Sequence, residues 1–253
     1  MKKITTYINE RLQLGEKISK HQYEYFPKNR RELVEAIRDE VKKYELTESN
    51  NRNSINLNII DTSQITDMED LFMNIRLNKL KTVKIDISEW NVSNVKTMRN
   101  MFCYRNFLTS IGDISRWGVS SVEDMHQMFC YCEELKNIDV SNWNVSNVKT
   151  MEAMFAGCWK LTSIGDISNW DIRSLKTSMN MFNACKKLKT LGDLSNWNIS
   201  NVTNMQYMFA NCYNLEYVGD LKLWYDKNKK YKTTQIFLKT KKLENKPSWY
   251  IEY

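Results

Sequence analysis

Six tryptophans set the register of this chain: Trp90, Trp117, Trp143, Trp170, Trp197 and Trp224 follow one another at steps of 27, 26, 27, 27 and 27 residues by subtraction. Phe102, Phe129, Phe155, Phe182 and Phe209 keep the same step. A fixed period of this size means one supersecondary unit used again and again, each copy burying its apolar face against its neighbours. The single step of 26 has a local cause. Gly112, Gly165, Gly192 and Gly219 each precede an aspartate, whereas Ile138-Asp139-Val140 has no glycine.

The ungapped copy reads Leu135-x-x-Ile138-x-Val140, the spacing of a leucine-rich-repeat strand, and the extra glycine elsewhere reads as a bulge beside it. The other half, Val148-x-x-Met151-x-x-Met154-Phe155-x-x-Cys158, has helical spacing. Ser93-Asn94 and Ser120-Ser121 stand ahead of that half and supply oxygens for free N–H groups. The sequence therefore predicts an α/β solenoid, a right-handed coil with parallel strands on one face and short helices on the other. Six strands about 4.8 Å apart give a block roughly 25 to 30 Å long.

Residues 57–223 form the predicted solenoid, one degenerate repeat at Asp61-Thr62-Ser63, Met68 and Leu71-Phe72, then five full ones. Over residues 1–56, Pro27 opens a segment with Leu33, Ile37, Val41 and Tyr44 on one face, which predicts a helical cap. Over 224–253, stretches 233–238 and 249–253 predict two strands, a hairpin-like cap on the open edge.

With 42% hydrophobic residues the chain can bury a core, and with 7 Gly and 2 Pro its turns must rest on Asn, Asp and Ser. The net charge of +7 is uneven. Residues 1–56 hold 12 basic and 9 acidic side chains, residues 57–223 hold 17 and 18, and residues 224–253 hold 8 and 3. The lysines of the N-terminus are followed by Asn9, Glu10 and Arg11 before any apolar run of secretory length, and no stretch approaches the roughly 20 apolar residues of a membrane span. The expectation is a cytoplasmic protein without a membrane partner.

Cys132, Cys158, Cys185 and Cys212 recur once per repeat, a spacing for packing in register rather than for a metal site, whose ligands pair within two to four residues. Cys130 and Cys132 alone are close, and Arg105 takes the slot in the first full repeat. Asp86, Asp113, Asp139, Asp166, Asp193 and Asp220 form a second row, which either accepts backbone N–H groups in the following turn or gathers cations; the serine two residues on favours the turn. Met98, Met101, Met125, Met128, Met151, Met154, Met181, Met205 and Met208 fall on the apolar side and predict core. His21 and His126 have no nucleophile spaced to form a pair, and no phosphate, dinucleotide or zinc-hydrolase motif is present. The sequence predicts no enzyme, no metal site and no cofactor.

Binding candidates come from position. Lys84, Ser110, Asn137, Ser163, Thr190 and Tyr217 project beside the strand and make a neutral polar strip suited to a protein partner. In the tail, Lys227, Lys229, Lys230, Lys232, Lys239, Lys241 and Lys242 interleave with aromatics that include Trp249 and Tyr250. That mixture serves either a capping edge kept soluble by lysines or a nucleic-acid site.

The units Asp139-Val140-Ser141-Asn142-Trp143-Asn144-Val145-Ser146-Asn147-Val148 and Met154-Phe155-x-x-Cys158-x-x-Leu161 closely resemble the roughly 26-residue repeat of the BspA-like leucine-rich-repeat family, the repeat of Mycoplasma and Listeria surface lipoproteins. The resemblance covers about residues 57–224. It implies a curved solenoid used for adhesion or protein binding, mostly on bacterial cell surfaces. Short unsecreted members resemble products of phages or mobile elements, for which inhibition of a host defence complex is one of the roles the resemblance allows. The expected function is a non-catalytic protein-binding solenoid, with a nucleic-acid-binding accessory protein and a surface adhesin as alternatives.

Overall fold

A computed structural model of the chain describes residues 23–46, 54–73, 75, 83–224 and 232–250. Helix α1 (Arg30–Leu46) opens it. Asn29 starts the helix through its side chain, whose Oδ1 accepts the Glu32 amide at 3.1 Å, while the Glu32 carboxylate accepts the Lys28 amide at 3.0 Å. Leu33, Ala36, Ile37 and Val41 make the buried stripe of α1. Tyr25, just before it, is bridged to Ile60 and donates its hydroxyl to Glu40 at 2.7 Å.

Strands β1 (Ile55–Asn56), β2 (Val83–Asp86) and β3 (Leu108–Ser110) follow as a parallel sheet in chain order. Ile55 pairs with Ile85, Val83 with Leu108 and Lys84 with Ser110, with a register shift between Val83 and Lys84. Further along the chain this side carries the isolated pairs Asn137–Ser163 and Thr190–Tyr217. The strand is short because its end is cut by turn chemistry. Gly112, Gly165, Gly192 and Gly219 sit at φ 84°, 81°, 88° and 90°, which only glycine adopts easily, and extension stops there.

The second side is the more continuous one. Parallel bridges run from Asp67 through Thr97, Asp124, Thr150, Thr177 and Asn204 to Lys232. The helical spacing of 148–158 and its equivalents predicts helices here, and the structure has none: these segments are chains of tight turns. Alternate amides leave their own repeat for the next. Met98, Asn100, Phe102 and Tyr104 donate to the carbonyls of Asp124, His126, Met128 and Cys130 at 2.8 to 2.9 Å. The amides between them close turns three residues back, Met101 to Met98, Cys103 to Asn100 and Arg105 to Phe102. The geometry needs left-handed residues at fixed places, and Asn100, Tyr104, Gln127, Tyr131, Ala153 and Ala184 all have φ between 52° and 62°. Apolar side chains three and four apart satisfy this turn chain as well as a helix, and an isolated helix this short is costly to nucleate.

The first strand of the C-terminal hairpin is also corrected, while residues 251–253 of the second lie outside the described residues. Residues 234–239 are turns, with Gln235 at φ 55° and Lys239 at φ 59°, and the Phe209 amide donates to Ile236 at 2.9 Å. The segment repeats the turn pattern of 206–211 one step on. Thr240 stands where Cys212 stood and donates its hydroxyl to the Phe209 carbonyl at 2.9 Å. What reads as alternating strand residues is a further degenerate repeat: the open edge is closed by more of the same turn structure.

Two aromatic columns hold the middle. Phe72, Phe102, Phe129, Phe155, Phe182, Phe209 and Phe237 stack at centroid distances of 4.7 to 5.9 Å with planes within 14°. Each is fully buried, worth about 1.5 to 3 kcal/mol by area and about 0.5 to 1.5 kcal/mol more per pair. Beside them Trp90, Trp117, Trp143, Trp170, Trp197 and Trp224 are buried, and each ring N–H donates to a carbonyl 29 to 33 residues earlier, Leu57, Ile87, Ile114, Val140, Ile167 and Leu194 in turn. The indole that spaces the sequence therefore ties adjacent repeats by its polar atom as well as its apolar faces.

Candidate binding surfaces

The predicted strand row is assembled in part. Lys84 is in register with Ser110, Asn137 with Ser163, and Thr190 with Tyr217. Several of these side chains also serve local turns. Ser110, Ser163 and Thr190 accept the amides of Gly112, Gly165 and Gly192 at 3.3, 3.2 and 3.1 Å, and Asn137 accepts the Thr162 hydroxyl. Tyr217 is 46% exposed, and partial desolvation together with the Asp193 carboxylate raises its phenol above the usual range.

The aspartate row next to it is committed to turns. Oδ1 of Asp86, Asp113, Asp139, Asp166, Asp193 and Asp220 accepts the amide two residues on at 2.9 to 3.1 Å. Four of these carboxylates touch the glycine of the next repeat: a Cβ on Gly112, Gly165, Gly192 or Gly219 would lie 2.5, 2.4, 1.9 or 2.0 Å from Oδ1 of Asp86, Asp139, Asp166 or Asp193. Bonding lowers the carboxyl pKa accordingly. The Ser115 amide holds Asp113 below the usual carboxylate range, the Ser195 hydroxyl does so for Asp193, and Lys222 for Asp220. Among the described residues no group of three or more His, Cys, Asp or Glu side chains is placed to hold a metal ion.

The cysteine column is structural in its contacts. Cys132, Cys158, Cys185 and Cys212 donate Sγ–H to the carbonyls of Phe102, Phe129, Phe155 and Phe182 at 3.0 to 3.2 Å. Burial pushes the Cys158 and Cys212 thiols up to about 12. Arg105, in the same slot, reaches the carbonyls of Met73 and Ile75 with its guanidinium. Cys103 and Cys130 belong to a separate small cluster with Ala153. His126 is held below its ordinary value by burial and by Arg99.

In the tail, Lys227, Lys229 and Lys230 lie outside the described residues. Lys232 ends the line of bridges, and Lys239, Lys241 and Lys242 are exposed. Trp249 and Tyr250 are placed differently from the expectation that they line a basic surface. Trp249 donates its ring N–H to Leu221 at 3.0 Å, as the repeat tryptophans do, and both rings pack on Phe237. They cover the end of the core.

A row that position in sequence alone does not reveal stands one residue beyond the cysteine slot. Trp159, Lys186, Tyr213 and Lys241 follow Cys158, Cys185, Cys212 and Thr240, so the register sets them side by side. Trp159 is 38% and Tyr213 41% exposed, and Lys186 Nζ lies 4.1 Å from the centroid of Trp159. No window of the sequence shows it, because its members stand 27 or 28 residues apart and only the register brings them together.

Parallel bridging of equivalent positions and continuous aromatic columns define a repeat protein. A family model described as "Mycoplasma protein of unknown function, DUF285" matches residues 42–163 and 135–250, and the chain belongs to that family. No curated protein and no solved structure matches it.

Proposed function

We propose that this chain is a non-catalytic, leucine-rich-repeat-like solenoid related to the BspA-like proteins, and that it binds a protein partner through the strand row. The observation that supports this reading is the register of Lys84 with Ser110, Asn137 with Ser163 and Thr190 with Tyr217 along one side of the stack, five of the six exposed and Ser110 half-buried. A short polar strip repeated at each step presents adaptable hydrogen-bonding groups with one tyrosine as an anchor, a composition that fits protein recognition. Enzyme chemistry needs an enclosed site with convergent polar groups. In the hollow of about 360 Å³ beside α1, whose lining includes Glu24, Glu40 and Ser54, no hydrogen bond among the described residues joins the Ser54 hydroxyl to either carboxylate. No helix among the described residues is long and apolar enough to cross a membrane. Within this reading the protein acts in the cytoplasm, on a host complex such as a defence assembly.

The test is affinity capture of the tagged chain from native-host lysate, with nuclease-treated and high-salt washes. A stoichiometric protein is expected to survive both and to be lost with the double variant Asn137→Arg, Tyr217→Glu. Recovery of nothing above background, or equal recovery by a folded double variant, counts against the reading.

A further inference from the structure

The corner that holds Trp159, Lys186, Tyr213 and Lys241 has a chemistry distinct from the strand row. Residues 57–223 carry 17 basic and 18 acidic side chains, so the part of this corner made by Lys160, Lys186 and Lys187 has to be built by placement, and Lys241 and Lys242 of the basic tail extend it. It is built here. Beside the first row runs a second, Lys160, Lys187, Asn214 and Lys242, two residues beyond the same slot. The carboxylates of Glu134 and Glu216 take only Lys160, at 2.6 Å, and Lys242, at 3.9 Å. Among the described residues no carboxylate is within ion-pair distance of Lys186, Lys187 or Lys241. One repeat earlier the slot holds Glu133, which marks where the basic corner begins.

Lysine and large aromatics together discriminate among partners. Protein interfaces enrich tryptophan and tyrosine but deplete lysine, and a duplex backbone needs lysine but gives exposed rings nothing to stack on. A single strand uses both, phosphates against ammonium groups and bases against rings. Repeats about 4.8 Å apart set the two rings roughly 10 Å from each other with a lysine between them. We propose that this corner binds single-stranded nucleic acid, its phosphates held by Lys186, Lys187 and Lys241 and its bases stacked on Trp159 and Tyr213. An incoming phosphate takes the Lys186 ammonium, and a base takes its place on the Trp159 ring. The surface is separate from the row proposed for protein binding, and neither reading depends on the other.

The test is fluorescence anisotropy of a labelled oligothymidylate titrated with the full chain over a salt series. Binding is expected at low salt and falls steeply as salt rises. K186E/K187E is expected to weaken it at least tenfold, and W159A on the order of tenfold, the loss of one stacked base. K96E/K176E makes the same charge change at exposed lysines away from this corner and is expected to leave affinity within about twofold. Circular dichroism checks the fold of each variant, and Y213A replaces W159A if that variant does not fold. Absence of binding at low salt, equal loss in K96E/K176E, or full affinity in both ring variants overturns the proposal. None of these variants touches Asn137 or Tyr217, so failure here and failure of protein capture are read separately.

Discussion

The two sides of the stack are held in different ways. From Asp67 to Lys232 the turn side keeps one line of parallel bridges through seven positions, while among the described residues the strand side has strands only at β1, β2 and β3 and isolated pairs beyond. The turn side sends alternate amides into the next repeat, so its hydrogen bonds are shared between neighbours by construction. The strand side places Asx turns and left-handed glycines where extension would continue. One side is a continuous scaffold; the other is a series of short presentations on which side chains can vary. A surface of the second kind is where recognition residues are expected.

The sharpest way to break this comparison is to cut a column common to all repeats. Phe155 stacks on Phe129 at 5.3 Å and on Phe182 at 5.7 Å. Phe155→Ala is expected to lower stability by about 3 to 5 kcal/mol in urea unfolding, whereas Ser163→Ala on the strand row costs about 1 kcal/mol or less. Equal effects would mean that the two sides are not mechanically distinct.

Next in size is the contact between the glycine and the aspartate row. Gly192 has φ 88°, and a Cβ there would meet Asp166 Oδ1 at 1.9 Å. Gly192→Ala is expected to cost about 1 to 3 kcal/mol from backbone strain, with the steric conflict adding to it. In an Asp166→Ala background the same change is expected to cost measurably less, and a double-mutant cycle reads the coupling. Additive effects would show that the carboxylate does not constrain the glycine.

How much of this was legible depends on which residue carried the signal. The tryptophan and phenylalanine steps set the register of the full repeats, and the recurring Asp and Ser pointed to the Asx turn, because each reports a local bond made again from copy to copy. The turn side was misread as helical because Met151, Met154, Phe155 and Cys158 fit both geometries, and left-handed Ala153 leaves no mark in an apolar pattern. The last repeat was hidden by substitution. Thr240 replaces the cysteine, and Trp249 follows Trp224 after 25 residues rather than 27. The row of Trp159, Lys186, Tyr213 and Lys241 needed the register itself, since no window of the chain holds two of its members.

The helix and turn readings make opposite predictions at Ala184. In a helix, Ala→Gly costs about 1 kcal/mol. Ala184 has φ 62°, where an L-residue is strained and glycine is not. Ala184→Gly is therefore expected to be neutral or to stabilise by up to about 1 kcal/mol, the relief being offset by the freer unfolded chain. Loss of stability by that amount in urea unfolding would return the segment to the helical reading.

The smallest effect belongs to the aspartate row and appears only against pH. Asp113, Asp193 and Asp220 have folded-state pKa values below the usual carboxylate range because they accept amide, hydroxyl and ammonium hydrogens. A depressed folded value means that the unfolded chain binds the proton more tightly, so the stabilisation is fully present above the unfolded value of about 3.9 and is lost as pH falls through the folded value. The melting temperature is expected to stay level from neutral pH down to about pH 5 and to decline below it. Asp193→Asn keeps an oxygen for the Ser195 amide but has no charge to lose, and its melting curve against pH should be shallower on the acid side than that of the parent chain. If the two slopes are the same, the row contributes through its geometry alone, and the strand side owes nothing to its carboxylate charge.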